Sequence, residues 1–91
     1  MVKVRFSSAL QNITKTRETN LEIGPTTIKG VLNKLTESYG EEFAKRILDG
    51  ENVRRFVNLY LNGEDIRHLE GVNTPVKEND EISILPAVSG G

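Results

Sequence analysis

Val53-Arg54-Arg55-Phe56-Val57-Asn58-Leu59-Tyr60-Leu61, followed at once by Asn62-Gly63, is the stretch on which the fold turns. It is rich in branched and aromatic residues, and it alternates Val57, Leu59 and Leu61 with Phe56, Asn58 and Tyr60. That period of two is the mark of a strand with one buried face. Asn-Gly suits the two positive-φ positions of a type I′ turn, so Glu64 to Leu69 is expected to pair back as a hairpin. Val57, Leu59 and Leu61 then need a covering layer, and the residues on either side must supply it.

Upstream, Glu41 to Leu48 opens on two acidic residues and places Phe43, Ile47, Ala44 and Leu48 on one side, which predicts a short helix ending at Asp49-Gly50. Before it, Gly24-Pro25-Thr26-Thr27 offers a threonine N-cap to a longer helix with Ile28, Val31, Leu32, Leu35 and Tyr39 at helical spacing and Gly40 as its stop. Gly30 lies inside that helix, where glycine costs about 1 kcal/mol against alanine, and it is read as a close approach of helix to sheet. At the start, Val2, Val4 and Phe6 alternate with charged and polar residues as a first strand. Ser8 to Asn12 reads as a turn, and Thr14 to Ile23 as a returning strand. Downstream, Gly71 to Val76 reads as a loop, Lys77-Glu78-Asn79-Asp80 as a polar turn and Glu81 to Leu85 as the last strand. The order is ββααβββ. A right-handed crossover would set the first and last strands side by side, central and parallel. The expected class is α+β, a β-grasp (ubiquitin-like) mixed sheet of about five strands with one main helix and a second short one, although an unrelated α+β layer could carry the same elements.

Composition narrows what such a domain could do. Ninety-one residues make one domain, able to bury roughly 60 to 65% of its unfolded surface but too small for a core and a conventional catalytic cleft together. Twelve basic and thirteen acidic residues leave a net charge of -1, with no Lys/Arg block longer than a pair such as Arg54-Arg55, which argues against nucleic acid. Cysteine is absent, and with it disulfides, thiolate metal sites and a thiol nucleophile. Met1 to Phe6 alternates charged and apolar residues rather than forming a signal peptide's apolar region, and no stretch reaches membrane-spanning length, so a cytoplasmic location is expected. His68 is the single histidine, without a second histidine or a cysteine to bind zinc with it, and is expected to play a surface or half-buried structural role. Glu41-Glu42, Glu64-Asp65 and Asp80-Glu81 adjoin helix starts or turns, where carboxylates cap and solvate. With no phosphate-binding glycine loop and no Gly-x-Ser-x-Gly motif, an independent enzyme is not expected.

The chemistry is therefore sought at the C-terminus, Pro86-Ala87-Val88-Ser89-Gly90-Gly91. A carboxylate at a chain end can be delivered into another protein's active site, and glycines without a Cβ let the backbone thread a narrow channel. Terminal glycines can also be a frayed end or a cloning remnant. With 8 glycines among 91 residues, however, a terminal pair arises by chance in roughly one chain in 130. The expected division is a domain over 1–85 and a flexible tail over 86–91, whose six residues reach at most about 20 Å. By strand alternation Phe56 and Tyr60 stand on the face opposite the core, with Ser83 and Leu85 outward on the last strand. Phe56, Tyr60 and Leu85 would make an apolar partner-binding patch beside the tail, unless the helices cover that face.

Arg55 to Arg67 together with Asp80 to Gly91 resembles the small ubiquitin-like sulfur-carrier proteins, a family that includes the molybdopterin synthase small subunit, the thiamin carriers and the carrier of thiocarboxylate-dependent cysteine synthesis. The Arg55–Arg67 stretch is most similar to the cysteine branch, whereas thiamin carriers tend to lack the second helix region at Glu41 to Leu48. The resemblance implies that an E1-like enzyme uses Mg-ATP to form a Gly91 acyl-adenylate, which sulfur then converts to a thiocarboxylate. Activation is needed because oxide is a poor leaving group. The sulfur would pass to a synthase, either a molybdopterin synthase large subunit or a cysteine synthase-like enzyme. The protein itself would bind no cofactor and act as a cosubstrate, with Gly91 and Gly90 as the reacting end and Phe56, Tyr60, Leu85, Pro86 and Val88 toward partners. Two other classes stay open at this point. One is a ubiquitin-like modifier joined through Gly91 to lysines; the other is a plain binding module that makes no use of Gly91.

Overall fold

The computed structural model describes residues 1–50 and 52–86. Its main sheet has the strand order β2-β1-β9-β6-β7, where β1 is Val2–Phe6, β2 Glu18–Leu21, β6 Val57–Leu61, β7 Glu64–Asp65 and β9 Glu81–Pro86. β1 and β9 are parallel, with Val4 opposite Ile82 and Phe6 opposite Ile84, while β9 and β6 are antiparallel, with Leu59 opposite Ile84. The first and last strands thus sit together at the centre, as a β-grasp requires. Val2, Val4, Phe6, Val57, Leu59, Leu61, Ile82 and Ile84 are all buried on one face.

Helix α2 (Ile28–Tyr39) buries Ile28, Val31, Leu32 and Leu35 in that core. Thr27 caps it, its side chain accepting a hydrogen bond from Gly30 N at 3.2 Å. Gly30 does mark a close approach, but to Thr26 and not to the main sheet: a Cβ at Gly30 would collide with the Thr26 hydroxyl. Thr26 belongs to β3 (Thr26–Thr27), which pairs with β8 (Pro75–Val76) in a separate ladder. Helix α3 (Glu41–Ile47) begins with Glu41 and Glu42 and ends with Lys45 and Arg46 in its last turn, the arrangement its dipole favours. It inserts Phe43, whose ring lies 6.2 Å from Phe6 and 5.7 Å from Tyr39 between centroids.

Several boundaries depart from the sequence reading. Ser8–Thr14, expected to begin as a turn, is a short helix, α1, that buries Leu10 and ends at Lys15, whose φ is 62°. One fully buried residue in seven leaves too little period to recognise. The second strand shrinks to Glu18–Leu21. The stretch Val53 to Leu61 is broken: β5 (Asn52–Val53) pairs with β4 (Leu48–Asp49), and a turn closed by Val57 N donating to Arg54 O at 3.0 Å precedes β6. After Asn62-Gly63, whose φ values of 52° and 87° suit a type I′ turn, only β7 pairs back and Ile66–His68 forms a 3-10 turn. The loop after it includes a second 3-10 turn, Gly71–Asn73.

Candidate functional site

The site is built at the C-terminal end of β9. β1 ends opposite Ile84, so from Leu85 onward β9 has only β6 beside it. Pro86 therefore occupies an edge position, where a residue without an N–H is tolerated. It is paired with Val57 in the sheet, so the last strand runs one residue further than the sequence suggested. Val88, Gly90 and Gly91 lie outside the described residues.

The face opposite the core is not covered by the helices, all of which pack on the core side. Leu85 is 41% exposed and pairs with Asn58, and Tyr60 is half-buried and pairs with Ser83. Phe56 is 62% exposed, but it is presented by the Arg54–Val57 turn and not by the strand itself. Phe56, Leu85 and Pro86 thus lie at the chain-exit end of the β6–β9 pair, where Val57 faces Pro86, while Tyr60, opposite Ser83, lies toward the other end. The other half of this face is charged: Arg5 lies 4.0 Å from Glu18 and 3.8 Å from Glu81, and Lys3 lies 3.8 Å from Glu18. Exposed pairs of this kind contribute at most about 1 kcal/mol each. They divide the face into an ionic half on β1 and β2 and a more apolar half toward the chain end.

Elsewhere the polar groups are structural. His68 is an exposed side chain 3.6 Å from Glu64. Asp80 accepts from Asn62 at 3.0 Å and from Lys77 N at 2.8 Å, closing the turn that leads into β9. Among the described residues, no three His, Cys, Asp or Glu side chains are grouped to hold a metal, and no helix is long and apolar enough to cross a membrane.

One part of the site escaped the sequence reading. Arg67 Nη2 donates to Arg55 O at 3.2 Å and to Val57 O at 2.7 Å, which brings Arg67 to the turn that carries Arg54 and Arg55. The sequence reading gave the Arg54-Arg55 pair no binding role, and nothing in local spacing brings it to Arg67.

The ThiS family model matches residues 4–91. The sulfur carrier protein CysO of Mycobacterium tuberculosis is 37% identical over 68 residues, covering 71% of this chain and 72% of its own. Small archaeal modifier protein 3 of Haloferax volcanii is 37% identical over 65 residues, covering 71% and 70%. Among solved structures, a chain of the Amycolatopsis orientalis BexX/CysO complex superposes with a TM-score of 0.87 at 28% identity, covering 100% of both chains.

Proposed function

The chain belongs to the ThiS family, and on that premise we propose that it carries sulfur as a thiocarboxylate on Gly91. An E1-like partner adenylates the Gly91 carboxylate with Mg-ATP, releasing pyrophosphate. Sulfide displaces AMP to leave the thiocarboxylate directly, whereas a persulfide displaces AMP to give an acyl disulfide. A second thiol cleaves its S–S bond, releasing the thiocarboxylate and leaving a disulfide between that thiol and the donor's sulfur. The thiocarboxylate's soft, nucleophilic sulfur is then delivered to an acceptor held by a second enzyme. The observation that carries this reading is the family match itself, which spans residues 4–91 and so includes the terminal diglycine. The similarity to proteins named CysO favours an activated serine derivative in a cysteine synthase-like enzyme as acceptor over a pterin precursor. In this reading Gly90, without a Cβ, suits a narrow channel in the partner, and Pro86 and Val88 are assigned to partner contact.

Intact mass of the protein, before and after incubation with ATP, an E1-like enzyme and a sulfur donor, tests the proposal. An oxygen-for-sulfur increase located by fragmentation at Gly91 is the expected result. An unchanged mass under conditions that load an authentic carrier would reject it. The relative named as an archaeal modifier favours a second use, in which the same activated carboxylate acylates lysine amines. Isopeptide-linked Gly91 on other proteins would establish that use.

Phe56 and Leu85 are assigned to the partner interface on their exposure. Phe56→Ala and Leu85→Ala are each expected to change unfolding free energy by no more than about 0.5 kcal/mol, as exposed positions do. Each should weaken binding to the activating enzyme by about 1 kcal/mol or more, as interface anchors do. A chemical melt paired with calorimetric binding reads both numbers; a large stability loss with intact binding would return these residues to the core.

A further inference from the structure

A groove of about 300 Å³ lies on the core side of the chain's exit from the sheet, bounded by β5, the start of β6 and the two 3-10 turns. Its floor is aliphatic, made by the buried Val57, Leu59 and Ile66, with half-buried Val72 on one wall. Arg54, Arg55 and Arg67 stand on its rim. Val57 is also the partner of Pro86, so the groove begins where β9 ends. The three guanidinium groups are not equivalent. Arg67 is held by the carbonyls of Arg55 and Val57, with Asp65 3.8 Å away, and Arg54 Nε donates to Lys45 O at 2.6 Å. Arg55 is exposed and has no side-chain partner among the described residues.

We infer that this groove docks an acidic segment of the activating partner, with an apolar side chain on the aliphatic floor and a flanking carboxylate on Arg55. The inference rests on the sulfur-carrier reading for the identity of that partner. Among the described residues three arginines and no Asp or Glu line the groove, with Asp65 3.8 Å from Arg67, and a guanidinium fork matches a carboxylate in two parallel hydrogen bonds. A nucleotide fits less well: no aromatic ring lines the groove for a base to stack on, and two of the three arginines already donate to backbone carbonyls. With Leu85 on the opposite face and Phe56 on the turn between, the partner would grip both sides of the sheet at the chain's exit, fixing the direction in which the tail leaves.

The test measures binding of the full-length protein to the E1-like adenylating enzyme of the same source by calorimetry, alongside ATP–pyrophosphate exchange. Arg55→Glu is expected to weaken affinity about tenfold at low ionic strength, with a smaller effect in high salt. Arg55→Lys should weaken affinity less than Arg55→Glu does, because it keeps the charge and loses the fork. Arg17→Glu, the same charge change beside β2 at the far edge of the sheet, should leave affinity nearly unchanged. Parent-like affinity in Arg55→Glu, an equal loss in Arg17→Glu, or no binding by the parent would overturn the inference. So would an Arg55→Glu effect on the KM for ATP alone, which would point to the nucleotide. Exchange that is indifferent to deletion of Gly91 would instead defeat the sulfur-carrier reading. Exchange that needs Gly91, with parent-like binding by Arg55→Glu, would defeat the groove alone.

Discussion

Deletion of Gly91 is expected to abolish thiocarboxylate formation outright while leaving the melting temperature where it was. Thiolation needs a carboxylate at a fixed distance from the docked domain, and removing one residue withdraws it by about 3.5 Å. Misplacing a reacting atom by even about 1 Å can cost a hundredfold in rate, so such a displacement should leave nothing measurable. Appending one residue after Gly91 should be as damaging, because the new carboxylate overshoots and carries a side chain into the channel. The fold is expected not to notice either change, since the buried core of the described residues runs from Val2 to Ile84. Mass spectrometry of the ATP-treated variants, paired with a thermal melt, separates the outcomes. Thiolation at the parent rate would remove Gly91 from the mechanism, and a lowered melting temperature would mean that the terminus packs on the domain.

The second large effect is expected in the core. Phe43 is fully buried on α3, in edge-to-face contact with Phe6 and in tilted contact with Tyr39. Phe43→Ala removes a whole ring from a site whose walls come from a strand and two helices, which limits collapse around the void. The expected cost is about 3 to 5 kcal/mol. Against a total of about 5 to 15 kcal/mol for a domain this size, that is a large share of the stability. It should lower the melting temperature by at least about 12 °C. Urea unfolding provides the check; a loss below about 1 kcal/mol would show that α3 rides on the domain without belonging to its cooperative core.

How far the sequence could be read depended on how many residues repeated each signal. β1, β6 and β9 were legible because alternation persists through each strand, and α2 because four buried residues recur at helical spacing behind a threonine cap. α1 was missed because a seven-residue helix has too few turns to declare its period, and its Ser7 cap makes no side-chain hydrogen bond. The break after Val53 was missed because branched residues lie on both sides of it. Choosing β4 as the partner of Asn52–Val53 is a long-range decision that propensity does not encode. The exposed Phe56 and Leu85 followed from alternation and diglycine logic, although a turn presents Phe56. The arginine-rimmed groove was invisible because Arg67 reaches it only after the hairpin has folded back.

The central placement of β9 ties the making of the protein to its use. β9 pairs with β1 across nearly the whole length of the chain, so β1 must wait for the last strand to be synthesised before the sheet can close. Contacts of such long sequence separation slow folding, and they deny a partly made chain its central strand. A product broken off within β9 lacks half of the core ladder and stays open to proteolysis. Proteolysis that spares only closed sheets would therefore also select copies that extend through β9 to Pro86.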